Sequence, residues 1–382
     1  MPFGGHALSQ TVAVVGGGIV GLAHAWSAAQ RGWKVTLFER HQRAQGATVR
    51  NFGMVWPIGQ PPGQPLEVAR VSRSRWLEFA KATGFPVQQC GSIHLAHRPD
   101  EWEVIQQFAE LAPGLGYECS LLNAGEVHDY SSGANPQGLL GGLFSPMELG
   151  VDPRQAAAAL ANWLVEAHGV RICPGVEVGA VTPGPWVMVA GEKLAFDRVV
   201  VCAGSDFAAL FPNDFANSGL INCKLQMLGT GPQPASWKLG PHLASGLTLR
   251  HYSNFQICPG LPALAGRIAA ETPELDRWGI HVMASQPVDG RIILGDSHEY
   301  GEEITPFDQA VIDELMVREL HKVFHLPDWT ITERWHGIYA KNPAGYTLRA
   351  DPLPGVSVST GTGGSGMTMS FGIAEEFWST RS

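Results

Sequence analysis

Gly16, Gly18, Gly21 and Glu39 have the types and spacing to hold a dinucleotide. Gly16 permits a tight turn, Gly18 lets a pyrophosphate approach the backbone, and Gly21 lets a helix pack close to a strand. The pyrophosphate would rest on free N–H groups where that helix begins, at Ile19 and Val20, with the helix dipole favouring its charge. Glu39, eighteen residues beyond Gly21, falls where a carboxylate can accept hydrogen bonds from ribose hydroxyls. Far along the chain, Gly361-Thr-Gly-Gly-Ser-Gly-Met367 is a second glycine-rich turn before an apolar run. Clustered N–H donors at a helix start suit an electron-rich ring or an anion. Met367 breaks the G-x-S-x-G pattern of a hydrolase elbow. His94 and His97 share a short strand, but no further residue completes a ligand set, so no metal is expected.

The elements that must position these groups follow from the hydrophobic pattern. An apolar strand from Thr11, the glycine turn, an Ala-rich helix to Arg31 and a strand from Trp33 to Glu39 begin a βαβ arrangement. No third parallel strand follows. Residues 46–65 form a loop punctuated by Gly and Pro, so the sheet must be completed from later sequence. Asp197 to Gly204, nearly all apolar and ending in small residues, suits a strand covered on both faces and resumes that sheet. Helices are expected over Leu66–Ala82, with Arg70, Arg73 and Arg75 on a solvated face, and over Glu101–Leu111. Another opens with Asp152 as N-cap and Pro153 in its first turn. Lys224–Leu228, His281–Ala284 and Arg291–Gly295 read as antiparallel strands, Asp308–Phe324 as an amphipathic helix, and Met369–Trp378 as the closing helix.

Size and composition narrow the class. A chain of 382 residues exceeds the usual single core, which predicts two domains. Its 45% hydrophobic and 16% charged residues describe a globular protein. A net charge of −9 argues against nucleic acid as partner, although a local pocket can still oppose that sign. Six cysteines without CxxC spacing read as reduced thiols in a cytoplasmic setting. Met1–Gln10 lacks the features of a signal peptide, and four glycines and a histidine interrupt the apolar run at 12–29, so no membrane span is expected.

Taken in order, the fingerprint ending in Glu39-Arg40, the Gly46-Ala47-Thr48 loop, Val151-Asp152-Pro153, Val200-Val201-Cys202-Ala203-Gly204 and the terminal glycine turn resemble the D-amino-acid oxidase / glycine oxidase family of FAD-dependent amine oxidoreductases. The resemblance spans essentially the whole chain. More narrowly, Val49–Gln60 and Trp335–Lys341 are similar to a branch associated with phosphonate catabolism. It implies an α/β fold, with a discontinuous Rossmann-like FAD-binding domain of residues 1–54, 146–221 and 333–382. Residues 55–145 and 222–332 would form a glycine oxidase-like substrate domain, α+β with a mixed antiparallel sheet.

The resemblance further implies non-covalent FAD. Its ADP part would lie on Gly16, Gly18, Ile19, Val20, Gly21, Glu39 and Arg40. Ala47, Thr48, Asn51 and Met54 would run beneath the ribityl chain and flavin, Val178 would meet the adenine through its backbone, and Gly204 would line the pyrophosphate crossing. Gly363, Gly364, Ser365, Gly366, Met367 and Thr368 would face the flavin's pyrimidine edge, where N–H groups stabilise negative charge. The sequence departs from the family where an Arg clamps a carboxylate. Tyr339 stands there, with Lys341 two residues on and hence on the same strand face. A hydroxyl plus an ammonium suits a tetrahedral phosphonate better than a bidentate fork does. Arg50 and His336 are further candidates for the same anion. The oxygen-activating lysine of sarcosine oxidases falls near Ile293, which leaves oxidase and dehydrogenase both open, and their flavin-linking cysteine falls near Gly337, from which the FAD is expected to be non-covalent.

The expected reaction is oxidation of a small anionic amine, an aminophosphonate such as N-methyl-2-aminoethylphosphonate, to phosphonoacetaldehyde and free amine. Hydride would pass to the flavin and then to O2 as hydrogen peroxide. A glycine, sarcosine or D-amino-acid substrate, an NAD-dependent dehydrogenase and a non-catalytic flavin protein are the competing readings. A homo-oligomer is compatible with the sequence.

Overall fold

A computed structural model describes residues 10–301 and 304–381, so the Met1–Gln10 expectation lies, but for Gln10, outside the described residues. β1 (Thr11–Val15), α1 (Ile19–Gln30) and β2 (Lys34–Glu39) form the expected opening unit, with β1 and β2 parallel from Thr11 beside Lys34 to Val15 beside Phe38. Val12, Ala13 and Val14 are fully buried, and alternation along β1 sends them to two different cores. Val12 and Val14 pack with α1 and the helices Pro153–His168 and Gly366–Ser379, whereas Ala13 packs with Val178, Val181 and Val187 of a small antiparallel sheet.

The sheet is completed from far along the chain. Its order is Leu348–Leu353, Val356–Thr360, Arg198–Val201, β1, β2 and Arg171–Pro174, with only the outermost Leu348–Leu353 strand antiparallel. Arg198–Val201 lies directly beside β1, where the apolar run ending at Gly204 was expected to resume the sheet. Strand order reverses at β1, and ligands of open α/β sheets bind at such switch points, beyond the carboxyl ends of the strands.

A nine-stranded, mostly antiparallel sheet forms the second layer. Ile221–Pro232 is its longest strand and pairs with Glu299–Gly301 and Arg291–Gly295 along one edge and with Ile331–Lys341 along the other. The register sets Tyr339 beside Cys223 and Lys341 beside Ile221. The expected boundary at residue 333 therefore falls inside a strand of the larger sheet, because backbone pairing carries that strand without a break to Lys341.

The closing helix starts at Gly366, three residues earlier than its apolar pattern shows. Arg73 and Arg75 do not lie on a solvated face. Arg73 Nε donates to the Met147 carbonyl at 2.7 Å, while Arg75 pairs with Glu375 at 2.9 Å and stands over the Trp26 ring. Their helix, Gln64–Thr83, lies against the closing helix, so its polar side is partly covered. Among the described residues no helix is long and apolar enough to cross a membrane. All six cysteines are free thiols.

Closure of the two helices depends on one small residue. Gly372 donates its N–H to Ser72 Oγ at 2.8 Å, and a Cβ at 372 would lie 2.1 Å from the Val68 carbonyl oxygen. Gly372→Ala must push the helices apart and should destabilise the protein by about 1–3 kcal/mol. Urea unfolding followed by tryptophan fluorescence would read this, and an unchanged midpoint would show that the contact yields freely.

Candidate active site

One cleft of about 1100 Å3 runs from the carboxyl ends of β1 and Arg198–Val201 to the strand Ile331–Lys341. It exceeds the roughly 300–1,000 Å3 of ordinary small-ligand pockets. At one end the glycine turn is shaped by close contact. Gly16 has φ +110°, and a Cβ there would lie 2.3 Å from the Cys202 carbonyl oxygen. A Cβ on Gly21 would meet the Gly16 oxygen at 1.9 Å. Only glycine satisfies both positions.

The backbone donors of this turn divide into two sets. Gly17 N–H donates to Glu39 Oε2 at 2.7 Å, and Ile19 N–H donates to Thr48 Oγ1 at 3.0 Å. Among the described residues, the N–H groups of Gly18, Val20 and Gly21 have no such partner, and all three residues line the cleft. Ile19 is thus a wall of the cleft whose own donor is already used. Glu39 also accepts from His41 N–H at 2.9 Å, which fixes its carboxylate at the rim. Arg40 pairs with Asp206 at 2.5 Å, bridging the β2 end to the turn after Gly204. Asp206 was not anticipated from the sequence. Val178 and Gly204 line the same end, and Thr360 Oγ1 donates to the Gly204 carbonyl at 2.8 Å.

The middle of the cleft is a pinned loop. Asn51 Nδ2 donates to the carbonyls of Ala47 and Thr48, both at 2.9 Å, and its Oδ1 accepts from Gly53 N–H at 2.7 Å. Asn51 therefore shapes the loop with every polar atom of its amide, while Ala47, Thr48 and Met54 contribute the lining. Opposite stands the glycine turn 361–367, opening the 14-residue helix Gly366–Ser379. Its residues Gly363 to Thr368 all face the cleft. Thr368 Oγ1 accepts from Trp56 N–H at 2.9 Å, tying the two walls together.

The far end gathers the sequence-derived anion candidates unevenly. Tyr339 is 8% exposed, and a Cβ on Gly364 would lie 3.6 Å from its hydroxyl. Burial, reinforced by Cys223 and Tyr300, holds the Tyr339 phenol well above its ordinary pKa, so the hydroxyl stays a donor. Lys341 Nζ donates to Tyr300 Oη at 3.2 Å and caps that ring. Arg50 lines the cleft, but its Nη1 donates to the His336 carbonyl at 3.1 Å. His336 is not in the cleft. Strand alternation turns it away from the Tyr339 and Lys341 side, and its Nδ1 lies 2.9 Å from Asp308.

The fold adds residues that the spacing of single motifs did not suggest. His251, Tyr252, His281, Asp296, His298 and Tyr300 also line this end. Burial and mutual repulsion hold His251 and His281 well below the ordinary histidine pKa, and burial brings His298 down to about 4. Burial pushes Asp296 well above the usual carboxylate range. A signal for part of this set was present: Asp296, His298 and Tyr300 alternate, as residues on one strand face do.

A nucleotide-sized cleft at a switch point, with one glycine turn at its end and a second along its middle, defines a dinucleotide-dependent protein of mixed α/β build. The model of the DAO family, FAD dependent oxidoreductase, matches residues 11–378, and the chain belongs to that family. FAD is accordingly its cofactor, and the cleft fits it: its volume of about 1100 Å3 suits a dinucleotide, and three N–H donors of the turn are left without a protein partner for phosphate oxygens. The chain is similar to the bifunctional tRNA 5-methylaminomethyl-2-thiouridine biosynthesis protein MnmC of Shewanella pealeana, 26% identical over 53% of this chain and 32% of that protein. It is also 26% identical to glycine oxidase of Geobacillus kaustophilus, over 52% of this chain and 55% of the relative. The matches thus span about a third and about half of these relatives' lengths. Glycine oxidase from Bacillus cereus shares the fold, with TM-score 0.76 over 96% of this chain and 93% of that one at 17% identity.

Glu39→Ala removes the acceptor for Gly17 and His41 together with the rim carboxylate. A charged hydrogen bond of about 1.5–3 kcal/mol corresponds to roughly ten- to a hundredfold weaker FAD binding. Fluorescence titration of the apoprotein with FAD measures it, and wild-type affinity would exclude Glu39 from the site.

Proposed function

We propose that the protein oxidises a small amine bearing an anionic group, an aminophosphonate such as N-methyl-2-aminoethylphosphonate, to phosphonoacetaldehyde and free amine. The observation that carries this reading is the cation at the far end of the cleft. Lys341 presents an ammonium held by Tyr300, Tyr339 presents a buried hydroxyl, and the guanidinium of Arg50 is engaged with a backbone carbonyl. A point charge with separate hydroxyl donors matches three tetrahedrally arranged oxygens better than a planar carboxylate.

When bound, FAD would supply the two-electron acceptor for the hydride from the carbon beside nitrogen, with O2, reduced to hydrogen peroxide, as the final oxidant. The chain's own residues bind and orient. Lys341 and the two phenols hold the anion remote from the reacting carbon, which fixes the pose and displaces water. The amine reacts through its neutral form, so its proton leaves before the C–H bond breaks. Loss of hydride then leaves an imine, to which water adds to release aldehyde and amine. In this reading the six-stranded sheet carries the cofactor and the nine-stranded sheet the substrate. Gly337 offers no thiol for a covalent flavin link. The name of the Geobacillus relative supplies the rival substrate, an amino acid such as glycine.

Peroxide release from N-methyl-2-aminoethylphosphonate should exceed that from sarcosine or glycine at equal concentration, and a preference for either amino acid would overturn the phosphonate reading. Lys341→Ala should raise KM for the phosphonate about tenfold or more, the loss of one charged contact, while flavin absorbance is retained. Unchanged kinetics would remove Lys341 from the site.

A further inference from the structure

Three histidines from separate segments converge at the far end of the cleft. One ligand atom from each of His251, His281 and His298 lies within 4.8 Å of the others. Their ring centroids are 4.3, 5.1 and 5.6 Å apart. Imidazoles whose nitrogens sit about 2.0–2.1 Å from one shared tetrahedral ion have centroids roughly 5 Å apart. The ring planes lie 33°, 9° and 27° from parallel, and nitrogens sharing one tetrahedral ion lie roughly 3.3 Å apart, so modest χ rotations would bring the three lone pairs onto one ion.

Hydrogen bonding within the cluster is incomplete in the way a ligand set requires. His298 Nδ1 is 3.1 Å from the Gly279 carbonyl, which fixes that nitrogen as the donor and leaves Nε2 with its lone pair. His251 Nε2 and His281 Nδ1 are buried and have no hydrogen-bond partner among the described residues. His281 Nε2 is 3.0 Å from Asp296 Oδ1, yet that oxygen also lacks a properly directed hydrogen bond. His281 and Asp296 are only 4% and 5% exposed, so water does not readily compensate them. Two cations lie nearby and are engaged elsewhere: Arg250 with Asp276 at 3.0 Å, and Lys341 with the hydroxyl and ring of Tyr300.

We propose that His251, His281 and His298, with Asp296 as the adjoining carboxylate, form a binding site for a divalent transition-metal ion beside the substrate end of the cleft. Neutral imidazoles with one carboxylate suit Zn2+ and its first-row neighbours rather than Mg2+ or Ca2+. The ion would face the same space as Lys341 and offer a further positive centre to substrate oxygens; that role, unlike the site itself, rests on the reading of an anionic substrate.

The test is Zn2+ binding to the FAD-loaded protein, by calorimetry and by metal analysis after dialysis, with no substrate present. The site predicts about one Zn2+ per chain, and His281→Gln and His298→Gln should each weaken it at least tenfold while the flavin spectrum reports an intact fold. No Zn2+ retained after dialysis at micromolar concentration would overturn the proposal. So would binding that persists in the double variant, which would place the ion elsewhere. Because no amine enters this measurement, its failure leaves the aminophosphonate reading standing, and failure of that reading leaves the metal result intact.

Discussion

The strand Ile331–Lys341 and the glycine turn after Thr360 are joined where the two large sheets meet, and the cleft depends on that joint. Lys341 forms an antiparallel bridge with Thr362, and Asn342 N–H donates to the Gly361 carbonyl at 3.1 Å. One end of this segment belongs to the nine-stranded sheet through its pairing with Ile221–Pro232. The other leads within a few residues to Leu348–Leu353 at the edge of the six-stranded sheet. Backbone hydrogen bonds therefore fix the distance between the glycine turn and the side chains of Tyr339 and Lys341. Side-chain packing alone would hold such a distance less tightly, since loops without ladder contacts open at low cost.

The same joint explains the electrostatic character of the far end. Pressing two sheets together buries histidines, tyrosines and a carboxyl in one space, and burial penalises each charged form. The histidines stay neutral and the phenols stay protonated, while Lys341 Nζ donates to the phenol of Tyr300. A protein of net charge −9 thereby presents a locally neutral-to-positive pocket. The local field there follows from the few groups inside the cleft, not from the surface sum.

What the sequence disclosed follows from the range of the interactions involved. The opening turn was legible because its constraints are local: Gly16 and Gly21 answer to contacts within one βαβ unit and its immediate neighbour Cys202. The resumption of the sheet at Arg198–Val201 was legible because a strand covered on both faces has an unmistakable composition. The membership of Ile331–Lys341 was not, since strand pairing across a hundred residues leaves no periodic mark. His336 was misplaced for a related reason. Its neighbours share a motif with Tyr339, but alternation places it on the other side. The histidine cluster draws on residues 251, 281 and 298, no two of which share a local motif, so only the folded chain reveals it.

The hydroxyl of Thr48 has a consequence for how the protein is assembled. By accepting the Ile19 N–H it joins the pinned loop to the start of α1 within the polypeptide itself. Both walls of the cleft are thus set by protein–protein hydrogen bonds, and the incoming dinucleotide need not order them. Little conformational entropy is lost on loading such a receptacle. A receptacle of this kind also lends itself to exchange of its natural flavin for synthetic analogues of altered potential, a route to separating the contribution of the protein from that of the ring.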